Sequence, residues 1–168
     1  ISHLLQHNLP AILIHGRTQK MMSDGLADWN EIGKAVKLRD QINKETVIIG
    51  NGDVKTCEEF TQKRDEFGVD GVMIGRGIFH NPWLFMEEGY EPSVDERIQM
   101  LWDHATLFKK TWGRTKNFNQ MRRFFKIYAS NFPDASPLRA ALTQSRDLDH
   151  VRELLIEWGS TLPEIVNY

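Results

Sequence analysis

Residues 46–53, Thr46-Val47-Ile48-Ile49-Gly50-Asn51-Gly52-Asp53, decide the fold. A β-branched, apolar run stops abruptly at a polar turn flanked by glycines. Continuous apolar character, in place of alternation, suits a strand of a parallel sheet buried on both faces. Working outward, the same pattern recurs twice. Ala11 to Ile14 precedes His15-Gly16-Arg17-Thr18, and Gly71 to Ile74 precedes Gly75-Arg76-Gly77. The intervals read as helices. Trp29, Ile32, Ala35, Val36 and Ile42 fall at helical spacing, and Thr56 with Glu59 predicts a capping box ahead of Phe60 and Phe67. Strand, helix, strand, helix, strand predicts right-handed crossovers in a parallel sheet.

Beyond Trp83 the composition changes. Pro82, Gly89 and Pro92 punctuate a connector, and Ser93 with Glu96 offers a second capping box. Val94, Ile98, Leu101, Ala105, Phe108 and Trp112 then trace one face of a helix. Phe118, Met121, Phe125, Tyr128 and Phe132 trace another. Ser136-Pro137 reads as an N-cap and first-turn proline, and Asp147 or Asp149 opens a last helix that stops at Gly159. The expectation is two domains, residues 1–86 and a helical bundle over 92–168.

Charge and composition narrow the class. The 168 residues are 40% hydrophobic and 26% charged, which excludes a disordered chain. No apolar run reaches the roughly 20 residues of a membrane-spanning helix, and residues 1–8 lack a secretion-signal pattern. The single cysteine, Cys57, makes no internal disulfide, in keeping with a reducing cytoplasm. It is expected as a small half-buried residue, not a nucleophile. Net charge is −2, yet His104 to Pro133 contains no acid while holding Lys109, Lys110, Arg114, Lys116, Arg122, Arg123 and Lys126. That stretch suits a phosphate-tracking surface on which Trp112, Phe118 and Tyr128 stack bases. It equally suits a bundle whose aromatics form the core while its cations solvate the outside.

All three apolar runs deliver their distinctive residues at their C-terminal ends, which a parallel barrel gathers on one face. Glycines there let backbone N–H groups approach a phosphate, and Arg76 adds a forked cation. In (β/α)8 barrels the loops after the last two strands frequently hold phosphate. Taken singly, Gly-Asn-Gly is an ordinary turn, His15 a satisfied core or capping histidine, and Arg17 a surface ion pair.

The order of these motifs resembles the tRNA-dihydrouridine synthases: His15-Gly16-Arg17-Thr18, then Gly25 and Ala27-Asp28-Trp29, then Ile48 to Asp53, then Gly71 to Gly77 with Asn81-Pro82-Trp83. The bundle resembles the family's tail more loosely, through Phe125 to Tyr128, Phe132-Pro133 and Leu138-Arg139. Other flavin barrels share the Asn-Gly and Gly-Arg pattern without this tail. The resemblance implies an α/β fold in which the last three strands of a (β/α)8 TIM barrel, with their helices, precede a small all-α bundle. It implies FMN as cofactor and NADPH as reductant in the reduction of a tRNA uridine to 5,6-dihydrouridine. His15 is then expected near the flavin ring, Asn51, Gly52 and Asp53 at its ribityl-phosphate end, and Gly75 with Arg76 on the phosphate. Arg17, Arg122, Arg123 and Lys126 are candidate contacts to tRNA.

The catalytic cysteine and the flavin-contacting lysine and glutamine of that family are expected upstream of Ile1, in an N-terminal barrel half that this sequence lacks. Cys57 inherits no such role. The isolated chain is therefore expected to reduce no tRNA and to pair its bare sheet edge with another copy. Two other classes stay open: a non-catalytic RNA- or partner-binding module, and an FMN barrel acting on a small metabolite.

Overall fold

The computed structural model describes residues 1–22, 24–87, 89–162 and 165. They form two compact units, Ile1–Phe85 and Met86–Tyr168. The architecture is mixed α/β, with one three-stranded parallel sheet and seven α-helices among the described residues.

In the first unit a short helix α1 (Ser2–Leu5) leads into β1 (Ala11–His15), α2 (Trp29–Ile42), β2 (Val47–Asn51), α3 (Cys57–Phe67) and β3 (Gly71–Met73). The strands lie in the order β1-β2-β3, with Leu13 beside Ile49, Ile49 beside Gly71, and His15 beside Asn51. Thr46, expected to open β2, lies just outside it, buried, with its hydroxyl donating to the Leu9 carbonyl at 2.8 Å. Asp28 caps α2 by accepting from the Asn30 amide. Thr56 accepts from the Glu59 amide, but the Glu59 carboxylate reaches back to the Lys55 amide and not to that of Thr56. The predicted reciprocal box is therefore displaced by one residue. Gly68 ends α3 at φ 68°, the left-handed conformation for which glycine has no steric penalty.

The core of this unit joins Ile12 and Ile48 of the sheet to Trp29, Ile32 and Val36 of α2. Phe60 and Phe67 of α3 pack partly buried against it. The strands' other face differs from expectation, since Leu13 is 52% exposed, Val47 39% and Met73 45%. The two helices supply one covering layer, and one layer buries alternate residues only. Cys57 is exposed, not half-buried; its thiol donates to the Leu84 carbonyl at 3.2 Å.

The second unit is helical: α4 (Val94–Trp112), α5 (Arg122–Tyr128), α6 (Ala135–Thr143) and α7 (Leu148–Trp158), with a 3₁₀ turn Phe118–Met121 before α5. Ser93 and Glu96 close the full capping box on α4. The expected second face is broken, because Phe118 lies in the 3₁₀ turn and Phe132 beyond the end of α5. Met121, Phe125 and Tyr128 are buried as read, whereas Trp112 is 44% exposed at the end of α4. The start of α6 also differs. Asp134 precedes it at φ 59°, so Ser136 and Pro137 sit inside its first turn, where a proline's missing N–H costs nothing. Asp147 caps α7 and Gly159 ends it.

Two arginines bind α5 and α6 reciprocally. Arg122, the first residue of α5, donates twice to the Ser145 carbonyl just past α6, at 3.0 and 2.7 Å. Arg139 of α6 donates to the Ala129 carbonyl that ends α5, at 2.9 Å. Each guanidinium satisfies an orphan carbonyl and complements the negative end of its neighbour's dipole.

Candidate functional site

Parallel register carries the C-terminal ends of β1 and β2 to one level, with Asn51 of β2 beside both His15 and Met73. Above them opens a cleft of about 480 Å³, lined by His15, Arg17, Asn51, Gly52, Asp53, Val54, Lys55, Met73, Gly75, Arg76, Gly77 and His80. The first-unit residues named as candidate cofactor or RNA contacts, His15, Arg17, Asn51, Gly52, Asp53, Gly75 and Arg76, thus line one cavity.

Their roles within it differ. The His15 ring accepts the Arg17 amide through Nδ1 at 3.1 Å, which makes Nε2–H the donor of the neutral ring. Asn51 donates its side-chain amide to the Met73 carbonyl at 2.7 Å, bracing β3 and leaving Oδ1 as an acceptor. Gly52 is held at φ 141°, and a Cβ on it would stand 2.4 Å from that of Ala27. Its carbonyl accepts the buried Trp29 indole N–H at 2.9 Å. Gly50 is equally constrained, since a Cβ there would stand 2.5 Å from the Trp29 ring.

Arg17, read as a contact to tRNA, has only 5% of its side chain exposed. It donates to the Gly25 carbonyl from Nε and Nη2, at 3.1 and 2.7 Å, and from Nη2 to both Asp53 oxygens at 2.6 Å. Asp53 also accepts the Ala27 amide at 2.7 Å. The Arg17 hydrogen bond, aided by that amide and opposed by partial burial, holds its carboxyl below the ordinary aspartate range. Gly75 and Arg76 face the opening. A Cβ on Gly75 would meet nothing within 4 Å, and the Arg76 side chain is 68% exposed with its nearest carboxylate oxygen, on Asp53, at 4.0 Å.

With Arg17 and Asp53 cancelling, Lys55 and Arg76 leave the cleft net positive. Lys55 and His80 were missed as site residues. The signal for Lys55 was its place two residues after Asp53. His80 belongs to no motif and arrives because a 3₁₀ turn, Arg76–Phe79, wraps back over the strand tips. Gly77 permits that wrapping, since a Cβ on it would stand 2.8 Å from the Val54 carbonyl oxygen.

In the helical unit Arg122, Arg123, Lys126 and Arg139 line a shallow groove of about 410 Å³ with Ser136, Ala140 and Thr143. Arg122 and Arg139 are committed to helix ends, as described. Arg123 and Lys126 are exposed, and the Arg123 guanidinium lies 4.7 Å from the Phe124 ring centre.

Comparison with known proteins gives this geometry a family. Residues 2–161 match the model of the family described as dihydrouridine synthase (Dus). The chain belongs to the dihydrouridine synthase family. A Staphylococcus aureus protein named probable tRNA-dihydrouridine synthase is 36% identical over 167 residues, covering 99% of this chain and 51% of that protein. A Staphylococcus epidermidis protein of the same name is 38% identical over 156 residues, 92% of this chain and 48% of its own. Probable tRNA-dihydrouridine synthase 2 of Bacillus subtilis is 36% identical over 156 residues, again 92% and 48%. The chain thus spans about half the length of these dihydrouridine synthase relatives. No helix among the described residues is long and apolar enough to cross a membrane.

Proposed function

We propose that this chain is the C-terminal portion of a flavin-dependent tRNA-dihydrouridine synthase, comprising the last three strands of a TIM barrel and the tRNA-binding tail. The observation that carries the reading is the net-positive cleft in which His15, Asn51, Gly52, Gly75 and Arg76 converge at the strand tips. Its donor set fits the terminal phosphate of FMN. Arg76 and Lys55 supply charge, and Gly75 presents bare backbone to the opening. Asn51 Oδ1 and His15 Nε2–H suit the ribityl hydroxyls and the flavin edge. When bound, FMN supplies hydride transfer, with NADPH as reductant and a tRNA uridine as acceptor. The residues of this chain bind and orient. They hold the phosphate end, set the ring's electrostatic surroundings and keep β3 in register through Asn51.

Uridine reduction also requires a proton donor to the base, a role that the family resemblance gives to a cysteine other than Cys57. That donor belongs to the remainder of the proposed barrel. The chain alone is accordingly inactive, and the whole enzyme works in the cytoplasm, where its tRNA substrate and reducing conditions coincide. Arg123 and Lys126 are the groove residues left to meet RNA phosphates.

Titration of FMN into the complete protein, followed by flavin fluorescence, tests the reading. Arg76→Glu replaces a phosphate partner with a like charge and should weaken binding by roughly tenfold or more. A wild-type protein that leaves FMN fluorescence unchanged throughout the titration, or an Arg76→Glu variant with unaltered affinity, would refute it.

A further inference from the structure

We infer that Arg17 and Asp53 form a positioning clamp that shapes and electrically balances the cofactor cleft, and that neither side chain is a ligand of the phosphate. The inference rests on the reading of the cleft as an anion site and assigns two of its lining residues a different task.

Geometry separates Arg17 from Arg76. The Arg17 side chain is 5% exposed, and its donors point inward to the Gly25 carbonyl and both Asp53 oxygens. Arg76 is 68% exposed. Asp53 fastens two loops together, because the carboxylate that meets Arg17 also accepts the Ala27 amide at 2.7 Å. Its backbone stands at φ 56°, in the left-handed region that Asp adopts more readily than most L-residues. The loop is seated from the other side by Trp29, which donates to the Gly52 carbonyl, and by the tight approach of Gly52 to Ala27.

Charge gives the clamp a second effect. A carboxylate in a phosphate cleft repels the ligand, and this one lies 4.0 Å from Arg76, the cation proposed to meet that ligand. Pairing Asp53 with a buried guanidinium cancels the repulsion and leaves Arg76 and Lys55 unopposed.

Two routes to the same arginine effect are separable by a double-mutant cycle. In the complete protein, Arg17→Gln strands an unneutralised carboxylate beside the ligand. It should weaken FMN binding by roughly thirtyfold, and Asp53→Asn by only about fivefold. The double variant R17Q/D53N should bind FMN better than R17Q alone. A double variant no better than R17Q means that the Asp53 charge is not what Arg17 neutralises, and that result overturns the clamp.

Hydrogen exchange at the Ala27 amide provides a readout that needs no cofactor. R17Q should accelerate exchange there by about tenfold by releasing the Asp53 carboxylate, whereas Arg76→Gln should not. Unchanged exchange in R17Q also overturns the clamp. If R17Q does not fold, Arg17→Lys keeps the charge and loses the fork; it should still accelerate exchange at Ala27 while weakening FMN binding less than R17Q is expected to, and unchanged exchange there overturns the clamp. Should the wild type bind no FMN while Ala27 responds as expected, the flavin reading falls and the clamp stands.

Discussion

Asp70 shows how much one carboxylate settles at the end of the sheet opposite the cleft. It accepts the Ile48 amide at 2.7 Å and the Arg39 guanidinium at 2.6 Å, joining α2, β2 and β3 at one point. Arg39 is itself buried and also donates to the Thr46 carbonyl. Burial alone would raise the Asp70 pKa, but the Ile48 amide and Arg39 outweigh it, so the carboxyl titrates below its ordinary range. Asp53 is lowered likewise. The sign of the linkage follows. Both groups contribute their full stabilisation above the unfolded aspartate value of about 3.9, and it is lost as pH falls through the depressed folded values. Asp70→Asn should therefore lower stability by about 1 kcal/mol at neutral pH, a figure discounted because the Asp70 side chain is 39% exposed. It should also flatten the decline of the urea midpoint between pH 5 and pH 2. Equal midpoints for variant and wild type at pH 7, or equal acid slopes, would contradict this account.

At the scale of elements, the basic stretch of the helical unit divides into cations that hold helices and cations that face solvent. Sequence pattern placed Arg122, Arg123 and Lys126 together but did not distinguish them, because the carbonyls that Arg122 and Arg139 satisfy belong to the partner helix. Arg122→Ala or Arg139→Ala should each cost about 1–2 kcal/mol of bundle stability through an uncapped helix end. Arg123→Glu with Lys126→Glu should leave the melting temperature within a degree or two, yet weaken tRNA binding and reduce its salt dependence in the complete protein. Thermal melts beside filter binding at several salt concentrations check both halves. A stable Arg122→Ala variant, or unaltered RNA affinity in the double variant, defeats the division. The same limit explains which parts of the fold were legible. Strand runs and caps are local, so β1, β2, β3 and Ser93 could be read directly, and the start of α7 was narrowed to Asp147 or Asp149. The α6 start depends on Asp134 adopting φ 59°, which the Ser136-Pro137 pattern does not encode. In the cleft, glycine-rich tips announced where the strand ends converge, whereas the inward turn of Arg17 needed Gly25 and Asp53 to be neighbours in space.

At the scale of the molecule, the deciding feature is a sheet finished on one face. Ile12 and Ile48 are sealed beneath α2 and α3, while Leu13, Val47 and Met73 on the strands remain 52%, 39% and 45% exposed. The outer strands β1 and β3 each have a partner on one side only among the described residues. An apolar face bounded by two unpaired edges is a template for association. In the proposed complete barrel, that face and those edges are occupied by the remaining strands; in the isolated chain, another copy is the available partner. The isolated chain should therefore sediment as a concentration-dependent oligomer at micromolar loading. Leu13→Lys combined with Met73→Lys should return it to monomer, because burying either ammonium against a second sheet is strongly unfavourable. Neither form should reduce tRNA when given FMN and NADPH, since losing the partner does not supply the rest of the proposed barrel. A wild-type chain that stays monomeric throughout, or one that turns over tRNA unaided, would mean that the exposed face is a finished surface, and the partial-barrel assignment would have to be abandoned.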